Sequence, residues 1–312
     1  MCPRYAGRVE LAQTNVAVTG ATGFLGEYLV AALRARGANP IAVVRNRDKA
    51  ERTLPRGVEV RVADLADTAG LTRAFQGVDA VIANAAVISF RDPALTMRTN
   101  VEGTRHVFDA IASAGVRRAI LISSSSAYPL SLRQSDENTP LRPLQKLSFL
   151  GGFANAYGVS KAEAERIAQR AAEAHDIALT TFRPCGITGP RDPLLIAAIE
   201  RFMRPWVVPF PAFVEIGVAH AGDVADAVML ALASPSVASG RAYNLQGNTA
   251  TLWQIADAWT RAGGHSPRLR LPIPVPIALR YADERARREL GWRPRSLDAI
   301  FREAVAARQT SS

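Results

Sequence analysis

The chain has 312 residues, 48% of them apolar, with a formal net charge of +10 and a pI near 10.4. That apolar share excludes a disordered or fibrous chain, and the length suits one large or two merged globular units. The charge does not signal nucleic acid, because the basic residues are scattered and no zinc-finger, RNA-recognition or basic-helix motif accompanies them.

No run approaches the roughly eighteen consecutive apolar residues of a membrane span, and the start MCPRYAGRVE lacks the apolar centre of a secretory signal. A cytoplasmic protein with neither a membrane nor a nucleic-acid partner is expected. Cys2 and Cys185 fit no metal-ligand spacing and give no disulfide framework, so no metal is expected either. Of 38 basic residues only Lys49, Lys146 and Lys161 are lysines, and that scarcity makes each informative.

From Val16 onward short β-branched runs alternate with helical patterns: NVAVTG, the helix FLGEYLVAALRARG, IAVVR, VEVRVAD, the helix TAGLTRAFQG, DAVIANAA, a long helix over 93–114, and RRAILISSSS. The helix YGVSKAEAERIAQRAAEAH and the strand ALTTFRP follow. The alternation predicts right-handed βαβ units and a doubly wound α/β fold, its parallel sheet covered on both faces. Beyond it the pattern loses regularity and prolines become frequent, as in RFMRPWVVPFPAFVEIG and LRLPIPVPIALRY. Such segments make poor sheet centres and suit irregular pocket walls.

Three glycines spaced three apart, Gly20, Gly23 and Gly26, sit between the strand NVAVT and an amphipathic helix. In that context Gly20 permits a tight turn, Gly23 lets backbone approach a pyrophosphate, and Gly26 allows close helix-to-strand packing. The predicted cradle for a dinucleotide comprises Gly20, Thr22, Gly23, Phe24, Leu25 and Gly26. The expected division is then a dinucleotide-binding domain over 14–187 and a mainly substrate-binding region over 188–312, from which 219–247 returns to the first domain.

The second strand ends where an acidic side chain would select NAD through the ribose 2′-hydroxyl. Arg45 stands there, with Arg47 two residues on, and a guanidinium pairs instead with a 2′-phosphate. NADP is therefore the expected cofactor, with Asp48 nearby keeping NAD open. Asp64 and Leu65 follow the third strand and either hold the adenine or, for Asp64, cap the next helix.

Tyr157 and Lys161 lie one turn apart on a helix, which places both on one face. An ammonium about 4–6 Å from a phenol is worth roughly two pKa units, which would bring Tyr157 down from its ordinary value of about 10 and fit it for proton transfer. The run LISSSSAY supplies hydroxyls at the end of a strand, one of which is placed to orient a carbonyl, while the others satisfy turn backbone.

With those residues in view the whole chain resembles the extended short-chain dehydrogenase/reductases, in the NAD-dependent epimerase/dehydratase and 3β-hydroxysteroid dehydrogenase/dihydroflavonol reductase group. The matching stretches are TGATGFLG, the DL of VADLAD, ANAA, TNVEGTRHVFDA, ISSSSAY, YGVSK, FRPCGITGP, HAGDVADAV, YNLQG and ELGWRPR. The resemblance implies a Rossmann domain with a smaller interleaved C-terminal region. It implies Tyr157 as catalytic acid/base, Lys161 as its partner on the nicotinamide ribose, and Ser124 as the catalytic hydroxyl, with Ser125 as fallback. Asn100 matches the family's helix asparagine, which holds active-site water or backbone; Asn84, Ala85 and Ala86 line the cofactor, and Pro184 to Ile187 border the nicotinamide. A homodimer through the helices over 93–114 and 157–175 is expected on the same ground.

Nucleotide-sugar members carry an arginine four residues before the histidine of HAGDVA, where this chain has Ile216 beside Glu215, and sugar dehydratases an Asp-Glu pair where it has Ser125 and Ser126. Both departures argue for an oxidoreductase acting on a small, mostly apolar carbonyl or alcohol. Two other readings stay open: a nucleotide-sugar epimerase with retained NAD, its diphosphate held by arginines 201, 204, 241 or 268, and a dinucleotide sensor without turnover. Phe202, Met203, Trp206, Val207, Val208, Phe210 and Phe213 form either an apolar pocket wall or ordinary core. The segment QKLSFLGGFANA is either a substrate lid with a Gly-Gly hinge or an inert insertion.

Overall fold

The computed structural model describes residues 9–89, 91–131, 133–143, 152–211, 213–273, 275 and 278–309, with backbone alone over 152–155. The first half alternates strand and helix: β1 (Asn15–Thr19), α1 (Phe24–Ala35), β2 (Asn39–Val44), α2 (Arg47–Thr53), β3 (Glu59–Val62), α3 (Thr68–Ala74), β4 (Ala80–Ala83), α4 (Pro93–Ser113), β5 (Arg118–Ile122), α5 (Gly152–His175) and β6 (Ala178–Pro184). There follow β7 (Gly186–Thr188), α6 (Leu195–Met203), β8 (Val207–Pro211), β9 (Glu215–His220), α7 (Ala221–Ala233), the short α8 (Pro235–Ala238) and β10 (Ala242–Leu245). The chain closes with β11 (Asn248–Thr251), α9 (Leu252–Arg261), β12 (Leu269–Ile273) and α10 (Leu297–Gln309).

Among the described residues seven strands form the central sheet, in the order β10-β6-β5-β4-β1-β2-β3, and every pairing is parallel. Period-two alternation divides its side chains between two cores. Val16, Val18, Ile82 and Ile120 pack against α1 and α7 on one face. Ala17, Val81, Ala119 and Leu121 face α3, α4 and α5 on the other. The strand order reverses between β1 and β4, and the carboxyl ends of both open on one crevice, where such sheets bind ligands.

Helix α7 packs under this sheet and β10 extends it beside β6, and Trp292, from further along the chain, is buried in the same core. The C-terminal lobe has its own core around Ile196, Phe210, Val218, Ile255, Trp259 and Phe301. A three-stranded sheet, β11-β9-β7, joins the two regions.

The proline-rich segments behave differently from expectation. They pair with each other as a two-stranded parallel ribbon, β8 with β12, which tolerates proline because both strands are edges. Met203, Val208 and Phe210 are buried in the lobe's core, whereas Phe202, Trp206, Val207 and Phe213 are exposed, and none of the seven lines the main cavity. Within QKLSFLGGFANA, residues 145–151 lie outside the described residues, and Gly152 already begins α5. Helices α4 and α5 pack against each other, while the exposed positions of α4 include Arg98, Glu102, Arg105 and Asp109.

Candidate active site

A cavity of about 940 Å³ runs across the carboxyl ends of the sheet strands. At its centre Gly20 holds φ at +65°, and a Cβ there would stand 2.8 Å from Ala85 Cα. Only glycine fits that position. Thr19 Oγ1 accepts from the backbone N–H groups of Asn84 and Ala85, each at 3.1 Å, and Asn84 Nδ2 donates to the Gly20 carbonyl at 3.3 Å. The turns after β1 and β4 are thereby locked together.

Gly23 is the N-cap of α1 and supplies no side-chain cap, so the first N–H groups of that helix are left for a ligand. Thr22, Phe24 and Leu25 line the cavity beside it. Gly26 does not line it: a Cβ there would collide with the Gly20 carbonyl oxygen and the Ala21 backbone. Its part is packing α1 onto β1 rather than cofactor contact.

Past β2, Arg45, Asn46 and Lys49 line the cavity. Arg47 does not, because its guanidinium donates to the Val60 carbonyl at 3.1 Å on the neighbouring strand, and Asp48 is absent from the lining. Asp64 and Leu65 both line it. Asp64 accepts from Ala66 N at 2.8 Å, and the cap of α3 is Asp67, which accepts from Gly70 N at 2.9 Å. Leu65 fits because Gly103 of α4 has no side chain to displace it. Such a surface, a glycine turn, an uncapped helix start and a cationic margin, fits a dinucleotide.

At the other end Ser124, Tyr157 and Lys161 converge on the cavity. The Ser124 hydroxyl hydrogen-bonds the Tyr157 phenol, and its oxygen accepts from Ser126 N at 3.1 Å. Burial pushes the Tyr157 phenol above its ordinary value, and the Ser124 bond only partly opposes that. The expected lowering by Lys161 is therefore not what this geometry gives. Lys161 Nζ instead donates to the Ile122 carbonyl at 2.6 Å, and burial lowers it to about 8, with the Glu165 carboxylate opposing. Glu165 in turn is fixed by the buried Arg183 guanidinium.

Asn100 stands behind the site and does not line the cavity. Its side chain accepts from Val87 N at 2.8 Å and donates to the Val87 carbonyl and to Ser160 Oγ, both at 3.0 Å. Ser160 donates to the Tyr157 carbonyl at 2.8 Å. Asn100 is thus a positioning residue, holding backbone rather than touching reactants.

Several lining residues meet here in contacts that the sequence does not announce. Ser125 hydrogen-bonds both Cys185 and Tyr281, which separates its surroundings from those of Ser124. Tyr281 lies over Tyr128 at 5.5 Å, and burial raises its phenol to about 12. Ser123 Oγ is buried at the cavity edge without a partner among the described residues. Ser123 and Ser125 lay in the serine run and Cys185 in the segment expected beside the nicotinamide, whereas Tyr281 was marked only as the end of a segment read as pocket wall.

Pro184, Cys185, Gly186 and Ile187 border this end, as do Ala86 and Ile88. From the C-terminal lobe come Pro193, Leu194, Leu195, Ile216, Gly217 and Leu279. Glu215 is turned away to Arg280, so the carboxylate expected beside the ligand is not in the lining. Arginines 201, 204, 241 and 268 are absent from it as well. Asp192 lines the cavity, but its carboxylate is occupied by Thr188 and the backbone at the start of α6.

This crevice defines a dinucleotide enzyme with a Tyr-Lys helix. Comparison with known proteins agrees: residues 16–245 match the NAD dependent epimerase/dehydratase family. The chain is 30% identical to sterol demethylase protein B of Methylococcus capsulatus, over 93% of this chain and 96% of that one. It is 29% identical to the ceramide reductase of Caulobacter vibrioides, over 83% and 74% respectively. Its fold is shared with the Thermus thermophilus UDP-glucose 4-epimerase solved with NAD, at a TM-score of 0.79 and 24% identity over 96% of this chain and 100% of that one. The chain belongs to the NAD-dependent epimerase/dehydratase family and is an NAD(P)-dependent enzyme of the extended short-chain dehydrogenase/reductase type.

Proposed function

We propose that the protein is an NADP-dependent oxidoreductase that interconverts a carbonyl and a secondary alcohol on a small, largely apolar substrate. The observation that carries this reading is the composition of the substrate end. Among the described residues the C-terminal lobe contributes no cation to the cavity, whereas Leu194, Leu195, Ile216 and Leu279 are apolar. A diphosphate needs charge-assisted donors there, while a ring or chain carbonyl does not. Two relatives, a sterol demethylase protein and a ceramide reductase, are named for apolar substrates, which supports one here. NADP is favoured by Arg45 and Lys49 at the adenosine margin, with no carboxylate of Asp48 to select a free 2′-hydroxyl.

When bound, the reduced dinucleotide supplies the hydride. Tyr157, kept protonated by its burial, gives its proton to the carbonyl oxygen as charge develops there. Ser124 orients that oxygen with a hydrogen bond. Lys161, on the same helix and held by the Ile122 carbonyl, keeps a positive charge at this end of the cavity, which favours the phenolate left behind over a site without it.

The reading is tested by incubating the purified enzyme with NADPH or NADH and a panel of apolar ketones, following nucleotide absorbance. Substrate-dependent oxidation of NADPH, faster than of NADH, is expected. Stoichiometric NAD released on denaturation, with a nucleotide sugar epimerised and no net change in nucleotide, would replace this reading by that of an epimerase.

A further inference from the structure

Seven of the thirteen large apolar side chains exposed among the described residues belong to the β8–β12 ribbon and its flanks. In β8, Val208 and Phe210 turn into the lobe while Val207 and Pro209 face outward. In β12, Leu269, Leu271 and Ile273 are exposed. The register sets Leu269 beside Val207, Leu271 beside Pro209 and Ile273 beside Pro211, so the outer face is one continuous apolar strip. Trp206 and Phe213, 66% and 59% exposed, flank β8. A contiguous patch of this kind on a folded protein marks a contact surface.

The segments that form the strip carry charge of one sign, with the carboxylates of Glu200 and Asp257 at its margin, each bound to an arginine. Segments 201–213 and 265–273 contain Arg201, Arg204, Arg268 and Arg270 and no Asp or Glu. Arg270 is paired with Asp257, but the other three are exposed, and Arg268 lies over the Trp206 ring at 5.0 Å. Tryptophan with arginine, beside exposed aliphatic side chains, is the combination that settles at a lipid headgroup boundary. A second copy seated on the same face would set these arginines against their own counterparts, a like-charge contact.

We propose that the outer face of the β8–β12 ribbon docks on an anionic lipid bilayer, the strip entering the headgroup boundary and Arg201, Arg204 and Arg268 meeting lipid phosphates. This is surface docking, not insertion: no helix among the described residues is long and apolar enough to cross a membrane. Leu194, on the cavity wall and 48% exposed, is joined to the ribbon by α6, whose nine residues span about 13 Å. Docking therefore brings the cavity's apolar end near the bilayer. The proposal does not depend on the substrate assigned above.

The test is flotation of the full chain with vesicles of phosphatidylcholine alone or mixed with phosphatidylglycerol, together with tryptophan emission. Trp206 is the exposed one of the four tryptophans, so its entry into lipid shifts emission to the blue. Binding to the anionic vesicles is expected to exceed that to the zwitterionic ones by roughly tenfold and to weaken with salt. The pair Leu269→Glu and Leu271→Glu is expected to abolish it with Tm and dinucleotide binding unchanged. If that pair fails to fold, Arg204→Glu with Arg268→Glu serves instead and removes the anionic preference. No flotation, or equal flotation of wild type and variants, overturns the proposal. So does a dimer that the same substitutions dissociate without any vesicle binding, which assigns the face to a second copy.

Discussion

Asn100 and Ser160, 60 positions apart, meet at 3.0 Å and tie the Val87 backbone to the helix that carries Tyr157. Asn100→Ala leaves the Val87 N–H and carbonyl and the Ser160 hydroxyl short of a partner, at about 1–3 kcal/mol for a buried group left unsatisfied. Its expected effect is a fall in kcat and in Tm with a smaller change in KM for the dinucleotide. An unchanged kcat would remove Asn100 from the positioning of Tyr157.

Tyr157→Phe keeps the ring and deletes the proton. A reduction in kcat of about 10²–10⁴-fold is expected, with dinucleotide binding preserved in a fluorescence titration. Ser124→Ala should lose less, since Tyr157 keeps its proton without it. Equal turnover in wild type and Tyr157→Phe would assign proton transfer to another group lining the cavity, Tyr281 being one that carries a phenol.

Lys161 governs the alkaline side of the pH profile. Burial lowers it to about 8, so its ammonium is present below that pH and is lost as pH rises through it. Turnover should fall tenfold per unit well above pH 8. The stability sign is opposite. In the unfolded chain Lys161 returns to about 10.4, so between about 8 and 10.4 the unfolded state binds more protons and this group favours folding increasingly as pH rises. Activity measured beside circular dichroism separates the two effects. Glu165→Gln removes the carboxylate that holds Lys161 up, and should move the alkaline limb to lower pH. Leaving Arg183 unpaired should also cost about 3–5 kcal/mol.

Arg45→Ala and Lys49→Ala should each weaken NADPH binding by about 10–100-fold, corresponding to one charge-assisted contact, while leaving NADH nearly unchanged. Equal losses for both nucleotides would mean that the pair holds something common to them. Gly20→Val provides the contrast: with φ at +65° and Ala85 Cα in the way, it should abolish binding of either.

The alternation of strands and helices, the glycine turn and the Tyr157–Lys161 spacing are all legible in the sequence, because each is a local pattern with a fixed period. Gly26 and Asn100 were legible both in position and in their work of packing and backbone tethering, and only the cofactor contact expected of Gly26 is missing. What stayed hidden depends on segments far apart in the chain. Ser125, Cys185 and Tyr281 come from three of them, and no spacing announces that they meet. The pairing of β8 with β12 was hidden for a different reason: prolines break the alternation that marks a strand, yet an edge strand tolerates them. The Lys161 ammonium was placed on the right face, but only the fold shows that the Ile122 carbonyl takes it up.

Strands β6 and β10 are neighbours in the central sheet, yet residues 185–241 run between them and supply most of the substrate end. On the ribosome the sheet cannot acquire its last strand until that whole excursion has been made. For sequence change the same arrangement is permissive. A detour anchored at both ends by parallel pairing can lengthen or alter its surface while the hydride-transfer machinery keeps its geometry, so new substrates can be gained without rebuilding the nucleotide site.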